Sequence, residues 1–271
     1  MIDGARLDFA INSKVFTKLK NQSTFFSQSI TYAPHTIAAM HAVFSGSYGS
    51  RTGSNSYWST FQFKKNKFKT LTEYLKDFNY YTHADVVNRL VIPKQGFDKH
   101  IIHDEENDVL LERHIGLIHE MNVLAKKQEN FLLYLHYSNI HTGIMNEVLK
   151  VYDNFNEDFF SNKKLNQERY AKLFKEAENY LEVILNEIFH LGLNENSIVL
   201  VMSDHGISIG EKIGERAYGA FCYDYTLRTF AYFIIPGISS REITQQVRTV
   251  DFMPTILDYL EIPFDNNYEK A

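Results

Sequence analysis

A carboxylate and an imidazole stand side by side after an apolar run in the second half of this sequence. The run covers residues 198–202, and Ser203, Asp204 and His205 follow it. A continuous apolar run of this length predicts a strand buried on both faces. Chemistry in open α/β sheets lies beyond the carboxyl ends of such strands, and an Asp–His pair there is half of a metal site. A turn Asp beside a hydrogen-bonded His is the other interpretation, and the dipeptide alone leaves both open.

Similar residues follow two other apolar segments. Asp3 comes after a short apolar pair and precedes Gly4, although Asp-Gly alone is most often a turn. His136 and His141 follow the run 131–135, which predicts a second buried strand. A lone His at a strand end is usually a core or loop residue. Two of them, after a strand that ends like the first one, favour a functional interpretation.

Thr36 stands at the predicted start of a helix. Residues 37–44 are rich in helix formers, Gly46 fits a C-terminal cap, and Pro34 biases the residue before it toward extended backbone. The free N–H groups and the dipole at a helix N-terminus favour an anion. A hydroxyl there is either an N-cap, which is the commoner role, or a nucleophile that faces an anionic substrate.

Composition limits the class of protein. The length of 271 residues allows one large domain, and contents of 44% apolar and 14% aromatic residues predict a globular chain. The net charge of −5 offers no basic surface, so we expect no nucleic-acid partner. The single cysteine, Cys222, excludes an internal disulfide and a cysteine-based metal cluster, and it fits a reducing compartment.

The sequence shows no apolar run of membrane-spanning length and no signal peptide. We therefore expect a cytoplasmic protein without a membrane segment. The first four residues look like the end of a strand and the turn after it, which predicts that the sequence is internal to a longer chain or that its first strand is shortened. If an apolar segment precedes Met1 in the same reading frame, the expectation about the compartment lapses.

Strand-like and helix-like segments alternate along the chain, which predicts an α/β fold. The clearest helix covers residues 165–191, whose apolar residues form one stripe at helical spacing. The segments 48–69 and 93–103 are predicted to be loops. The further predicted strands are 25–30, 80–87 and 231–235, and the further predicted helices are a short one within 15–26, 37–44, 70–78, 110–127 and 250–260.

Seven segments, taken in order and with their spacing, carry a resemblance to a known family. They are Ile2-Asp3-Gly4-Ala5-Arg6, Ala33-Pro34-His35-Thr36 with Gly46 ten residues later, residues 70–82, His136 with His141, Ser203-Asp204-His205-Gly206, residues 223–228 and residues 250–257. Together they resemble the sulfatase branch of the alkaline phosphatase superfamily, nearly from end to end.

The resemblance implies a fold and a domain organisation. The fold would be an alkaline-phosphatase-like three-layer sandwich, with a mostly parallel central sheet and helices on both faces. A single sulfatase-like domain would cover residues 1–271, with a first strand truncated at the N-terminus and with the smaller C-terminal subdomain of the family absent or minimal.

The resemblance also implies one divalent metal ion, held by Asp3, Thr36, Asp204 and His205. Oxygen and nitrogen ligands suit Mn, Mg, Ca or Zn. The carboxylates favour the hard ions, whereas the single His favours Mn or Zn.

The remaining site residues implied by the resemblance act on the substrate, an anionic ester carried by a glycan or a lipid. Thr36 would be the nucleophile, and His136 and His141 would bind the non-bridging oxygens or protonate the leaving group. Lys212 or Arg216 would add positive charge over the anion, and the uncertain register of their loop leaves the choice between them open. Apart from the resemblance, Arg51 is predicted to face the substrate because the predicted loop 48–69 lies near the site.

The residue at position 36 separates two branches of chemistry. Sulfatases proper carry a Cys or Ser there, converted to formylglycine and followed by Pro-Ser-Arg, whereas this chain has Thr36-Ile37-Ala38-Ala39-Met40. Formylglycine is therefore not expected. The resemblance implies a metal-dependent hydrolase of sulfate or phosphate esters with a covalent Thr36 intermediate. The alternatives are a phosphoethanolamine- or phosphoglycerol-type transferase that modifies a glycan or lipid, and a non-catalytic relic that binds an anionic glycan.

Overall fold

Eight strands form the centre of the molecule. The computed structural model describes residues 1–146, 161–212 and 221–264, and the strands lie within these ranges. In chain order they are β1 (Thr24–Ile30), β2 (Tyr81–Val86), β3 (Lys99–Ile102), β4 (Phe131–Leu135), β5 (Val199–Met202), β6 (Arg228–Ile234), β7 (Arg241–Ile243) and β8 (Val247–Arg248).

Ile2 joins two groups of strands into one sheet. One group has the order β3-β2-β4 and the other β5-β6-β1-β7, with β8 also paired to β1. Ile2 pairs in parallel with Tyr137, just after β4, and with Ser203, just after β5. Its N–H donates to the Met202 carbonyl at 2.9 Å, and the N–H of Asp3 donates to the Tyr137 carbonyl at 3.0 Å. The first residues therefore form a very short strand in the middle of the sheet.

The sheet is mixed but mostly parallel, as the family resemblance implies. β2 runs parallel to β3 and β4, and β1 runs parallel to β7 and β8. β6 is antiparallel to its two neighbours, β5 and β1. An α/β chain with a central, mostly parallel sheet is thus confirmed.

Helices cover the sheet. In chain order they are α1 (Leu7–Ile11), α2 (Lys14–Lys20), α3 (Thr36–Ser45), α4 (Gly49–Thr52), α5 (Leu71–Asp77), α6 (Leu110–Lys126), α7 (Asn139–Ile144), α8 (Lys163–His190), α9 (Asp224–Leu227) and α10 (Phe252–Tyr259), with short 3₁₀ turns at Tyr57–Gln62, Leu193–Glu195 and Thr249–Asp251. Among the residues that the structure describes, no helix combines the length and the apolar character needed to cross a membrane.

Two hydrophobic clusters lie on opposite faces of the sheet, because successive strand residues point to opposite sides. Phe25 and Tyr232 belong to the cluster that packs against α1, α2, α6 and α8. Their neighbours Phe26 and Phe233 belong with the cluster that packs against α3, α5 and α10. Helices therefore flank both faces, which is the three-layer arrangement expected from the sequence.

Two predicted loops are wrong in part. The segment 48–69 contains α4 and the 3₁₀ turn Tyr57–Gln62. The segment 93–103 contains β3 (Lys99–Ile102), which pairs in parallel with β2. This edge strand has only four residues, and Lys99 and Ile102 are exposed. A strand this short, polar at one end and half-exposed, lacks the alternation by which sequence indicates a strand.

Candidate functional site

The predicted site residues lie at one edge of the sheet. Asp3 follows Ile2, His136 directly follows β4, and Asp204 and His205 come two and three residues after β5. Because these three strand ends are neighbours and run in the same direction, their polar residues emerge together.

Thr36 is the first residue of α3 and not its N-cap. The N-cap is His35, whose Nδ1 accepts a hydrogen bond from the Ala38 N–H at 3.5 Å. The Thr36 hydroxyl instead donates to Asp3 Oδ2 at 3.2 Å and lies 3.2 Å from His205 Nε2. Of the two roles open for a hydroxyl at this helix start, the structure excludes the cap.

Two buried carboxylates face this hydroxyl. The Gly4 N–H donates to Asp204 Oδ1 at 3.1 Å. His205 Nε2 lies 3.6 Å from Asp3 Oδ1 and 3.4 Å from Asp204 Oδ2. Neither of these two oxygens accepts a hydrogen bond from the part of the chain that the structure describes. Buried carboxylate oxygens without donors are costly, and a bound cation removes the cost.

His205 is oriented as a metal ligand. Its Nδ1 lies 2.8 Å from the Gly206 carbonyl oxygen, which can only accept a hydrogen bond. Nδ1 therefore carries the proton, and the lone pair of Nε2 points toward Asp3, Thr36 and Asp204. Two carboxylates, an imidazole nitrogen and a hydroxyl make a donor set that fits one divalent cation.

The two carboxyl groups have pKa values shifted in opposite directions. Burial alone would raise the pKa of Asp3, but His141, His136 and His205 outweigh burial and hold the pKa of Asp3 well below its usual range. Burial and the neighbouring Asp3 carboxylate raise the pKa of Asp204. A divalent cation shared by both would remove this repulsion.

The structure also brings both predicted histidines to Asp3. His136 is fully buried, and its Nε2 lies 3.0 Å from Asp3 Oδ2. His141 lies in α7, and its Nδ1 is 3.8 Å from Asp3 Oδ1. The side chain of His141 is 27% exposed, so it can meet a substrate from solvent while His136 cannot without a rearrangement.

Two of the three predicted anion-binding residues, Lys212 and Arg51, contact aromatic rings. The Lys212 ammonium lies 4.2 Å from the centre of the Tyr223 ring, and the Arg51 guanidinium lies 6.0 Å from that of Phe68. These cation–ring contacts do not involve the Asp3–Asp204 cluster, and the roles of both residues stay predictions. Arg216 lies in 213–220, outside the residues that the structure describes.

Sequence reasoning missed the role of Arg6. This arginine is buried, donates to Asp8 at 2.8 Å and to the Ile207 carbonyl at 3.0 Å, and pairs with Glu211. It therefore ties the turn after Asp3 to the loop after His205. Its adjacent partner is visible in sequence, but Glu211 lies 205 residues away and no sequence pattern links the two.

Glycines follow Asp3 and His205 for a steric reason. Gly4 has φ +68°, and a Cβ there would lie 2.4 Å from Ile207 Cδ1. A Cβ on Gly206 would lie 1.9 Å from the Tyr225 carbonyl oxygen, which is backbone and cannot swing away. The Asp-Gly and His-Gly pairs are therefore required by close packing around the site.

The model of a family described as sulfatase matches residues 10–262. The chain belongs to the sulfatase family. The matched range contains Thr36, His136, Asp204 and His205, and Asp3 precedes it. No curated protein matches the sequence of this sulfatase-family chain.

Solved structures similar to this sulfatase-family member agree with the fold. The lipoteichoic acid synthase LtaP from Listeria monocytogenes is 15% identical, with a TM-score of 0.75 over 97% of this chain and 71% of that one. A candidate sulfatase from Bacteroides fragilis is 18% identical, with a TM-score of 0.74 over 97% of this chain and 74% of that one. At such identities the likeness shows the fold, and the alkaline-phosphatase-like sandwich is confirmed.

A third similar structure is of a protein in complex with its substrate, D-glucosamine-2-N,6-O-disulfate. It is 15% identical to this chain, with a TM-score of 0.68 over 98% of this chain and 76% of that one. A candidate sulfatase and a synthase thus share the fold of this sulfatase-family member.

Proposed function

We propose that this sulfatase-family chain is a metal-dependent enzyme that cleaves an anionic ester and uses Thr36 as its nucleophile. The observation that carries the proposal is the position of the Thr36 hydroxyl, 3.2 Å from both Asp3 Oδ2 and His205 Nε2. An unassisted threonine hydroxyl is a poor nucleophile at neutral pH, and here it lies among the groups best able to hold a cation.

Asp3, Asp204, His205 and Thr36 would hold the cation, which is Mn, Mg, Ca or Zn by the chemistry of these ligands. A divalent cation bound there supplies positive charge that favours the ionised hydroxyl and offsets the charge of the transferred group. The N-terminus of α3, which begins at Thr36, adds the positive end of a helix dipole.

The protein residues then divide the reaction between them. Thr36 loses its proton to solvent, Oγ1 bonds to the phosphorus or sulfur of the ester, and the bond to the leaving oxygen breaks. The leaving oxygen takes a proton from His141, which is the more exposed of the two histidines beside Asp3. A water molecule, or an acceptor hydroxyl, returns a proton to His141 and displaces the group from Thr36.

Phosphate is the favoured centre of reaction because residue 36 is a threonine. The resemblance to sulfatases proper fails at this position, where they carry a residue that becomes formylglycine. A glycan or lipid that carries a phosphate ester is the proposed substrate class, and transfer to an acceptor hydroxyl is the alternative outcome.

We further propose that the described residues form one domain, because the sheet is continuous through Ile2.

The test uses purified protein, stripped with chelator and reloaded with each of the four ions in turn. Turnover of bis(4-nitrophenyl) phosphate, 4-nitrophenyl phosphate and 4-nitrophenyl sulfate is measured for wild type, Thr36→Ala and Thr36→Ser. We expect phosphate ester turnover that Thr36→Ala lowers at least ~10³-fold, as loss of a nucleophile does. Thr36→Ser keeps a hydroxyl and should retain measurable activity, with a phosphoryl adduct detectable on residue 36 by mass spectrometry.

The matched control is Thr72→Ala, which deletes the hydroxyl of another buried threonine, bonded to the Gln95 carbonyl. Its activity should stay near wild type. Turnover of the sulfate ester alone would contradict the preference for phosphate. Full metal occupancy with no turnover of any ester, with or without an acceptor alcohol, would overturn the proposal and leave a non-catalytic protein.

A further inference from the structure

A second buried polar cluster lies next to the site and has no role in the steps above. It contains Asp85 at the end of β2, His103 after β3, Arg113 and His114 in α6, and Ser138 before α7. Except for Arg113, each is at most 2% exposed. The rings of His103 and His136 are 6.2 Å apart and perpendicular, so the cluster packs directly against a site residue.

Three members form a hydrogen-bonded series. Asp85 Oδ1 lies 2.5 Å from His103 Nδ1, and His103 Nε2 lies 3.1 Å from Ser138 Oγ. Because Nδ1 donates to the carboxylate, the neutral ring has its lone pair on Nε2, where it accepts the Ser138 hydroxyl proton. The same connectivity activates serine nucleophiles elsewhere, but Ser138 is 0% exposed and no substrate reaches it.

The charge balance of the cluster argues against a metal ion. Asp85 Oδ2 already accepts a hydrogen bond from Arg113 Nε at 2.5 Å. The guanidinium therefore neutralises Asp85, the carboxylate within the cluster, and it also lies 3.4 Å from the more exposed Asp108. A divalent cation would add two positive charges beside Arg113 in a buried region, although Asp85, His103 and His114 are of ligand type.

The series ends on the segment that carries both histidines beside Asp3. Ser138 stands between His136 and His141 and is the N-cap residue of α7, yet its side chain makes no cap hydrogen bond. The side chain of a serine at an N-cap usually accepts a hydrogen bond from a backbone N–H of the helix, whereas here the hydroxyl is bonded to His103. The backbone also connects Asp85 to this segment, because the His136 N–H donates to the Asp85 carbonyl at 3.1 Å.

We infer that Ser138 is a positioning residue, held by His103 and Asp85, that fixes the start of α7 and so the place of His141 beside Asp3. His141 lies only three residues after Ser138, and its partly exposed side chain lies 3.8 Å from Asp3 Oδ1. Without the hydroxyl, the first turn of α7 is held at its N-cap by backbone hydrogen bonds alone, such as that from the Thr142 N–H to the Ser138 carbonyl at 3.0 Å.

The kinetic experiment, which rests on the proposed function, is a double-mutant cycle on the metal-loaded protein. Ser138→Ala should lower kcat about 10–100-fold, the usual cost of losing a residue that orients a reacting group, with KM and metal content unchanged. In a His141→Ala background the same substitution should cost less than about twofold, because its target is gone. An equal cost in both backgrounds would overturn the inference, since it would show a merely structural effect.

A second measurement does not depend on catalysis. The imidazole ¹H–¹⁵N signals of His141 and His103 should shift in Ser138→Ala, whereas Ser23→Ala should leave both in place. Ser23 is a matched control, since it is also buried and its hydroxyl donates to the Leu19 carbonyl within its own chain segment, away from α7. Unshifted His141 signals in Ser138→Ala would refute the inference even in an active enzyme. Shifted signals in a protein without turnover would support it and refute the proposed function alone.

Metal analysis closes the alternative for the cluster. Wild type and His103→Gln should bind the same amount of metal. If His103→Gln lost one equivalent, the cluster would be a metal site and the positioning role of Ser138 would be refuted.

Discussion

Replacing Asp204 by Asn should stabilise the metal-free protein and abolish its stabilisation by metal. The amide fits the carboxylate's place: its oxygen can accept from the Gly4 N–H, which now donates to Oδ1 at 3.1 Å. Its NH₂ group can donate to His205 Nε2, which lies 3.4 Å from Oδ2. The substitution therefore removes a charge and a metal ligand with little change of shape.

The sign of the metal-free effect follows from the pKa of Asp204. Burial and the Asp3 carboxylate raise this pKa in the folded state. A carboxyl with a raised pKa binds its proton more tightly when folded, so the metal-free protein loses stability as pH rises through and above the unfolded pKa. A buried polar group left without a hydrogen-bond partner costs on the order of 1–3 kcal/mol, so at pH 7 we expect metal-free Asp204→Asn to be more stable than wild type by a similar amount.

The metal-bound effect has the opposite sign. A ligand present at a thousand times its Kd stabilises the folded state by about 4 kcal/mol. For a chain of this size each kcal/mol moves Tm by about 2–4 °C, so saturating metal should raise the Tm of wild type by about 8–16 °C. Asp204→Asn should lose most of that rise, because it removes one of two carboxylate ligands.

Thermal unfolding followed by circular dichroism, in chelator and in each of Mn, Mg, Ca and Zn, measures both effects. Asp77→Asn is the control, since this carboxylate is 60% exposed and pairs with Lys69 on the surface. It should change the free energy of unfolding by no more than about 0.5 kcal/mol, both in chelator and with metal. If Asp204→Asn melts below wild type in chelator, or keeps the full rise with metal, the assignment of the cation site is refuted.

Two further predictions concern packing and pH. Gly206→Ala should destabilise the protein by at least ~2 kcal/mol in urea and weaken metal binding, because its Cβ would lie 1.9 Å from a backbone oxygen, whereas Gly116→Ala, with nothing within 4 Å, should be neutral or stabilising. Burial lowers the pKa of His41 to about 4, so its neutral form adds stability at neutral pH that is lost as pH falls from the unfolded pKa of about 6.5 toward 4. His41→Gln should reduce that loss of stability by up to about 3 kcal/mol, measured as the free energy of unfolding in urea at a series of pH values. The same loss in His41→Gln as in wild type would contradict this explanation.

Local patterns sufficed for the main elements. The apolar stripe that predicts a helix over 165–191 corresponds to α8 (Lys163–His190), and the start at Thr36 and the end at Gly46 (φ +57°) of α3 follow from nearest neighbours. Strand ends also indicated where polar residues would meet, because parallel strands deliver their carboxyl ends to one edge. The structure brings Asp3, His136 and Asp204 together at that edge.

Contacts between distant residues could not be predicted. Arg6 pairs with Glu211, and Asp85 pairs with His103 and Arg113, across separations of 205, 18 and 28 residues. No periodicity links such partners, since each contact depends on how the sheet is assembled. The edge strand β3 was missed for a related reason: its pairing with β2, and not its own sequence, makes it a strand.

The short strand at Ile2 ties the site to the assembly of the whole sheet. Ile2 and Asp3 leave the ribosome before either of the strand ends that they pair with, at Tyr137 and Ser203. Loop closure over such separations is slow and comes late in folding. We therefore expect Asp3 to reach Asp204 only after both groups of strands have formed, so the cation site is complete only when the sheet is complete. Cation added during refolding should then stabilise the product of the last folding step and not the product of the first.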